Sequence, residues 1–180
     1  MTDDNLLVAQ LKNPATQEQA FRKLMLLYKK RLYWHIRKIV LSHDDTDDVL
    51  QNTFIKVFKN IHSFKEESKL FSWIYRIATN EAISFINKKA AKHNVDISVL
   101  QHTMAEDLTS DSYFSGDEIQ LLLQKAIVTL PQKQQLVFNM KYFDEMKYTD
   151  MSEILGTSVG ALKASYFHAV KKIEDYLKTH

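Results

Sequence analysis

The 180-residue sequence contains no cysteine, which excludes disulfides, thiol nucleophiles and cysteine-ligated zinc. Three glycines and two prolines leave few turn signals, and a residue pool weighted to Leu, Lys, Ala, Gln and Glu favours helices over sheet. No apolar run approaches membrane-spanning length, and the opening MTDDN is acidic where a secretory leader would be basic. A soluble cytosolic protein without membrane insertion is expected. There is no glycine-rich phosphate loop, and the seven histidines are scattered without ligand spacing. The acidic run from Asp44 to Asp48 lacks the glycine and distal glutamate of a calcium loop. No metal, cofactor or catalytic centre is therefore expected, and the chain does not read as an enzyme.

What is present is charge in blocks. The net charge is only +2, but Arg22, Lys23, Lys29, Lys30, Arg31, Arg37 and Lys38 fall within one stretch that holds no acid. Residues 94–118 carry Asp96, Glu106, Asp107, Asp111, Asp117 and Glu118 with no Lys or Arg. Basic helices separated by an acidic segment suit a polyanionic partner and a tether, or else solvated helix faces and an acidic loop. Apolar residues recur at helical spacing through 17–41, 46–61, 70–90, 118–129, 132–143, 149–155 and 159–177, and no alternating run of strand length appears. The expectation is an all-α chain of two small helical domains, 1–92 and 118–180. They would be joined by an acidic flexible linker over 93–117, whose HNVDISVLQHTMAEDLTSDSYFSGD lacks the period.

The stretch YTDMSEILGTSVGALKASYFHAVKKIEDYL, residues 148–177, holds two of the three glycines. Tyr148, Met151, Ile154 and Leu155 form an apolar stripe, with Thr149 or Asp150 as the expected N-cap. Gly156 follows, where a left-handed helix terminus costs glycine least, and Ser158 offers the next N-cap. Leu162, Tyr166, Val170, Ile173 and Leu177 line one face of a longer helix. Helix, three-residue turn and helix make a helix-turn-helix, whose second helix can lie in the DNA major groove. Its outward residues are Lys163, Ala164, Phe167, His168, Lys171 and Lys172. Lys163 suits a phosphate or base edge, Phe167 a thymine methyl, and Lys171 and Lys172 phosphates. Gly160 and Ala161 keep the helix start slim. A tight corner in any helical bundle would read similarly.

Upstream, LLLQKAIVTLPQKQQLVFNMKYF supplies two supporting helices divided at Leu130-Pro131, with Leu122, Leu123, Ile127, Val137 and Met140 as their core. A Leu-Pro step, an apolar helix ending in Tyr-Phe, a polar turn and the helix-turn-helix resemble the DNA-binding fourth region of bacterial sigma factors, close to the extracytoplasmic-function group. The resemblance implies that Ser158, Gly160, Lys163, Ala164, Phe167, His168, Lys171 and Lys172 face the minus-thirty-five element. Ser165, Ala164 and His168 depart from residues common in that family.

The first domain should then resemble sigma region two. In FKEESKLFSWIYRIATNEAISFINKKAAKH, Trp73, Arg76, Asn80, Ser84, Asn87 and Lys88 make one polar stripe with an aromatic at its head. Ile74, Ala78 and Phe85 take the other side, and Tyr75 reads as core. Amide, hydroxyl and cationic groups beside an aromatic suit unstacked bases and their phosphates. Leu-Phe-x-Trp-Ile-Tyr-Arg-Ile-Ala-x-Asn closely resembles the family's promoter-melting motif, which implies minus-ten contacts along the stripe and at Lys69, within the preceding base-capturing loop. In DDTDDVLQNTFIKVFKNIHSF, the residues Asp45, Asp48, Gln51, Thr53 and Phe54 match a second pattern, with Asn52 where an acid is more usual. The resemblance implies that they dock on the polymerase β′ clamp helices, with β flap contacts from the C-terminal domain. It also implies a regulatory anti-sigma partner. The expected function is an alternative sigma factor that binds core RNA polymerase and promoter DNA. The alternatives are a helix-turn-helix regulator acting without replacing sigma, which would leave the first-domain motifs unexplained, and a protein-only helical adaptor, which would lose nothing when Lys163, Lys171 and Lys172 become alanine.

Overall fold

Apolar residues three and four apart wind the chain into helices throughout the residues described by the computed structural model, which are 2–108, 111 and 117–180. These are α1 (Asp3–Lys12), α2 (Gln17–Val40), α3 (His43–Asn60), α4 (Leu70–His93), α5 (Ile97–Asp107), α6 (Glu118–Val128), α7 (Gln132–Phe138), α8 (Tyr148–Leu155) and α9 (Val159–Thr179). A 3₁₀ turn (Ile61–Ser63) follows α3, and a π-helical turn (Asn139–Phe143) extends α7. Side-chain caps set several starts: Ser42, Asp117 and Ser158 accept from the backbone N–H of Asp45, Gln120 and Ala161. Gly156 ends α8 in the left-handed region, at φ 63°.

The core is built around α2, whose Leu24, Leu32 and Ile36 are wholly buried. Along α4, Leu70, Ile74, Ala78, Ala82, Ile86 and Ala90 repeat every four residues and are all buried, a ridge whose small members permit close approach of neighbouring helices. Tyr75 is buried too, at 1% exposure. Behind the helix-turn-helix, Ala126, Ile127, Leu130, Phe138, Ala169 and Ile173 form a second, smaller cluster. The larger cluster also crosses between the halves. Met140, Met146, Met151, Ile154 and Leu162 belong to the same apolar cluster as Leu24, Leu32 and Ile74, so α8 is packed against α4.

Several expectations change. The flexible linker over 93–117 is overturned for its first half, because α5 occupies residues 97–107. Ile97, Leu100, Met104 and Leu108 do recur at helical spacing, and the last three are buried. The period was obscured by Gln101, which is buried in the core in an amide pair with Gln135 (3.0 and 3.2 Å). Residues 109–110 and 112–116 of that segment lie outside the described residues. A helix not expected from the pattern, α1, buries Leu7, Val8 and Leu11. Helix α8 begins at Tyr148 with Lys147 at its N-cap and no capping side chain, so neither Thr149 nor Asp150 caps it. Leu122 and Leu123 are only half-buried and Leu177 is exposed, whereas Ala169 is fully buried.

Candidate nucleic-acid interface

On α4, Arg76, Asn80, Ser84, Asn87 and Lys88 are all exposed, on the face opposite the four-residue ridge. Trp73, at the head of the stripe, is half-buried with its ring 5.2 Å from that of Phe64. Phe85 is half-buried under the Lys89 ammonium. Lys69, just before α4, is not free: its ammonium donates to the Asp150 carboxylate of α8 at 2.7 Å, which raises the lysine's pKa chiefly through that hydrogen bond.

On α9, Ser158, Gly160, Lys163, Ala164, Phe167, His168, Lys171 and Lys172 are all exposed, Phe167 at 66%. An apolar ring left in solvent at mid-helix is a candidate contact. The Lys163 ammonium lies 5.8 Å from the centroid of the Tyr148 ring, and Lys172 donates to Gln134 at 3.1 Å.

Two glycines behave differently. A Cβ on Gly156 would meet the Arg76 guanidinium at 3.6 Å, and its φ of 63° disfavours any side chain. Gly160 has nothing within 4 Å, so the fold alone does not require glycine there. Gly156→Ala is expected to destabilise the chain by about 1–2 kcal/mol. Gly160→Ala is expected to raise stability by up to about 1 kcal/mol while weakening duplex DNA binding. Urea unfolding with a parallel duplex-binding titration reads both, and a Gly160→Ala chain with full DNA affinity would refute a role for the slim helix start in admitting DNA.

On α3, Asp48, Gln51 and Asn52 share an exposed face. The other three residues of that group sit elsewhere. The Asp45 carboxylate accepts from Lys89 at 2.6 Å, tying α3 to α4. Thr53 is fully buried and donates to the Val49 carbonyl at 2.8 Å. Phe54 is 7% exposed and lines an apolar groove of about 590 Å³ with Phe21, Met25, Leu50, Gln51, Ile55 and Phe58. That groove runs beside Gln51, and the sequence pattern did not reveal it.

A second feature missed by the sequence reading lies between the halves. Asp144, which ends the π-helical turn, accepts from Lys38 at 2.6 Å and faces His35 Nδ1 at 3.3 Å. His35 is 1% exposed, and its Nε2 lies 2.8 Å from the Thr79 hydroxyl, which donates to the Tyr75 carbonyl at 2.7 Å. For Asp144, burial pulls the pKa up, but the hydrogen bond and charge of His35, with Lys38, outweigh it and hold the carboxyl below its ordinary value. Burial raises the Tyr75 phenol well above the usual tyrosine range. Arg37, also buried, pairs with Asp111. No short-range signal could have revealed His35 and Asp144, which are 109 positions apart.

Residues 24–92 match Sigma-70 region 2, and residues 120–173 match Sigma-70, region 4. The chain is 31% identical over 154 residues to the ECF RNA polymerase sigma factor SigW of Bacillus subtilis, covering 81% of this chain and 82% of SigW. The chain belongs to the ECF sigma factors. A second relative, the ECF RNA polymerase sigma-E factor of Haemophilus influenzae, is 27% identical, covering 89% of each chain. The fold is shared with CnrH, solved in complex with the cytosolic domain of CnrY, at a TM-score of 0.70 and 19% identity over 98% of this chain and 97% of the other. The sigma factor RpoE of Bartonella quintana, solved with the anti-sigma factor NepR, gives a TM-score of 0.66 and 22% identity, covering 88% of this chain and 96% of RpoE. This ECF sigma factor is thus an alternative sigma factor that directs transcription initiation, and sigma factors are initiation factors rather than enzymes. Among the described residues no helix is long and apolar enough to cross a membrane.

Proposed function

We propose that the two exposed faces divide the work of promoter recognition. The α4 stripe holds unstacked bases of the minus-ten element, and the outer face of α9 reads the minus-thirty-five duplex. The observation that carries this is the run of exposed polar groups along one uninterrupted helix. From Arg76 to Lys88 the stripe extends roughly 18 Å at about 1.5 Å per residue, long enough to follow several nucleotides of a single strand. Flipping a base costs a few kcal/mol, and stacking on protein returns roughly 1–3 kcal/mol, so binding energy can open the strands without nucleotide hydrolysis. The half-buried Trp73 presents an indole at the end of this track. On α9, Lys163, Lys171 and Lys172 would neutralise phosphates while Phe167 lies against a thymine methyl.

The outward face of α3 is the proposed dock for core polymerase. Asp48, Gln51 and Asn52 provide its polar rim, and the neighbouring groove can take an apolar side chain from the β′ clamp helices. Asp45 and Thr53 support that face from behind, through Lys89 and Val49. Contacts of the C-terminal half with the β flap belong to the same reading. An anti-sigma partner is also proposed, since the Bartonella RpoE was solved with the anti-sigma factor NepR.

In vitro transcription with purified core enzyme tests the whole reading. Promoter-specific initiation that depends on this chain is the expected result. A core enzyme that initiates no differently with and without it would defeat the proposal.

A further inference from the structure

A cavity of about 670 Å³ opens between α2, α6 and the π-helical turn, and no residue assigned above to promoter DNA or to polymerase lines it. Its size is that of a small-molecule site, roughly 300–1,000 Å³. One wall is cationic: Lys30, Arg31, Arg37 and Lys38 reach it from α2, against a single lining carboxylate, Asp144. Asp144 pairs with Lys38 and Asp111 with Arg37, which offsets two of the four charges. Lys30 is exposed. Arg31 lies over the rings of Phe71 and Tyr75, at 4.8 and 5.9 Å from their centroids, a contact that orients the guanidinium without neutralising it.

The facing wall is aromatic. Trp34 is half-buried there, and Tyr142 is stacked on Phe138 at 5.1 Å while remaining 53% exposed. Deeper in, the cavity holds a donor that the fold does not use. Gln124 is 4% exposed and lines the cavity, yet its Nε2 has no hydrogen-bond partner among the described residues. A buried amide donor without an acceptor is costly to keep, and an acceptor carried in by a ligand would satisfy it. Gln120, one turn earlier on the same face of α6, lines the cavity as well.

We propose that this cavity binds a purine nucleoside polyphosphate. Its phosphates sit on Lys30 and Arg31, its base lies against Trp34 and Tyr142, and the edge of the base accepts from Gln124. Ammonium and guanidinium groups suit phosphate oxygens, aromatic faces take a base by stacking, and a glutamine amide matches the N6 and N7 edge of adenine. Cations alone would hold any polyanion; the rings and the buried amide are what select a base. Because the residues are distinct from both proposed DNA faces, the inference stands whether or not those assignments do.

ATP carrying a fluorescent methylanthraniloyl group, titrated into the whole chain and read by anisotropy, tests this. Saturable binding below about 1 mM is expected. Unlabelled ATP should displace the probe, and adenosine or tripolyphosphate should do so at least tenfold less well, since each lacks half of the contacts. Lys30→Gln/Arg31→Gln and Gln124→Met should each weaken binding about tenfold. Gln124→Met keeps the side chain's length and removes the unused donor, so without nucleotide its melting temperature should hold or rise. Lys23→Gln/Lys178→Gln makes the same charge change at exposed positions outside the cavity and should alter nothing.

Absence of saturation would overturn the proposal. So would displacement by tripolyphosphate as effective as that by ATP, which would reduce the site to a polyanion surface. A random-sequence single-stranded DNA that displaces the probe more tightly than ATP would assign the cations to a strand instead. A Gln124→Met chain that binds in full, or that melts lower than the unaltered chain, would return Gln124 to a purely structural role and defeat the reading of the base edge.

Discussion

Holoenzyme carrying Arg76→Ala together with Asn80→Ala is expected to form open complexes about 100-fold less readily than the unaltered holoenzyme. On the proposed reading of α4, each side chain supplies a contact made only after a base leaves the stack, and such contacts are worth roughly 1–3 kcal/mol. About 1.4 kcal/mol corresponds to a tenfold change, so two independent losses multiply to the stated factor. Both residues are exposed, on the face opposite the buried ridge, so truncating their side chains leaves the ridge of α4 intact. Closed-complex affinity should fall much less, because the duplex contacts proposed for α9 are untouched. Permanganate footprinting of unpaired thymines against a filter-binding titration separates the two steps. If the double variant loses less than the product of the single losses, both side chains serve one base. Equal loss in both assays would mean that α4 contacts duplex DNA instead.

The largest effect on stability is expected from Leu32→Ala. Leu32 is wholly buried at the middle of α2, the helix on which α1, α3 and α4 all pack. Truncating a buried leucine removes its transfer free energy and leaves a cavity, at a cost of about 2–5 kcal/mol. For a chain of this size that lowers the melting temperature by about 10 °C. Calorimetry reads the shift directly. Leu26→Ala provides the contrast: Leu26 lies on the same helix but is 85% exposed, and its loss should be nearly silent. A Leu32→Ala chain that melts with the unaltered one would mean that α2 does not carry the core.

Much of this was legible because it is local. Helical period placed α2, α3, α4 and α9 to within a few residues. Gly156 and Ser158 signalled the helix-turn-helix through backbone chemistry that acts over one turn, namely a left-handed terminus and a capping hydroxyl. The polar stripe on α4 could be read because its core partner recurs every four residues. What was not legible is long-range or disguised. Gln101 broke the apolar pattern of α5, since an amide satisfied by another buried amide is indistinguishable in sequence from an exposed one. Thr53 sits in a pattern shared with surface residues, yet its hydroxyl satisfies a carbonyl within its own helix. The pairing of His35 with Asp144 depends on where α7 is lengthened by its π-helical turn, a geometry that leaves no trace in residue spacing.

The common core has a consequence for the unattached protein. Met146, Met151 and Ile154 would become sticky surface whenever the halves part, and apolar patches on a parted chain invite aggregation. Their burial in the shared cluster therefore serves dispersal as well as stability, and a substitution at any of the three has both to satisfy.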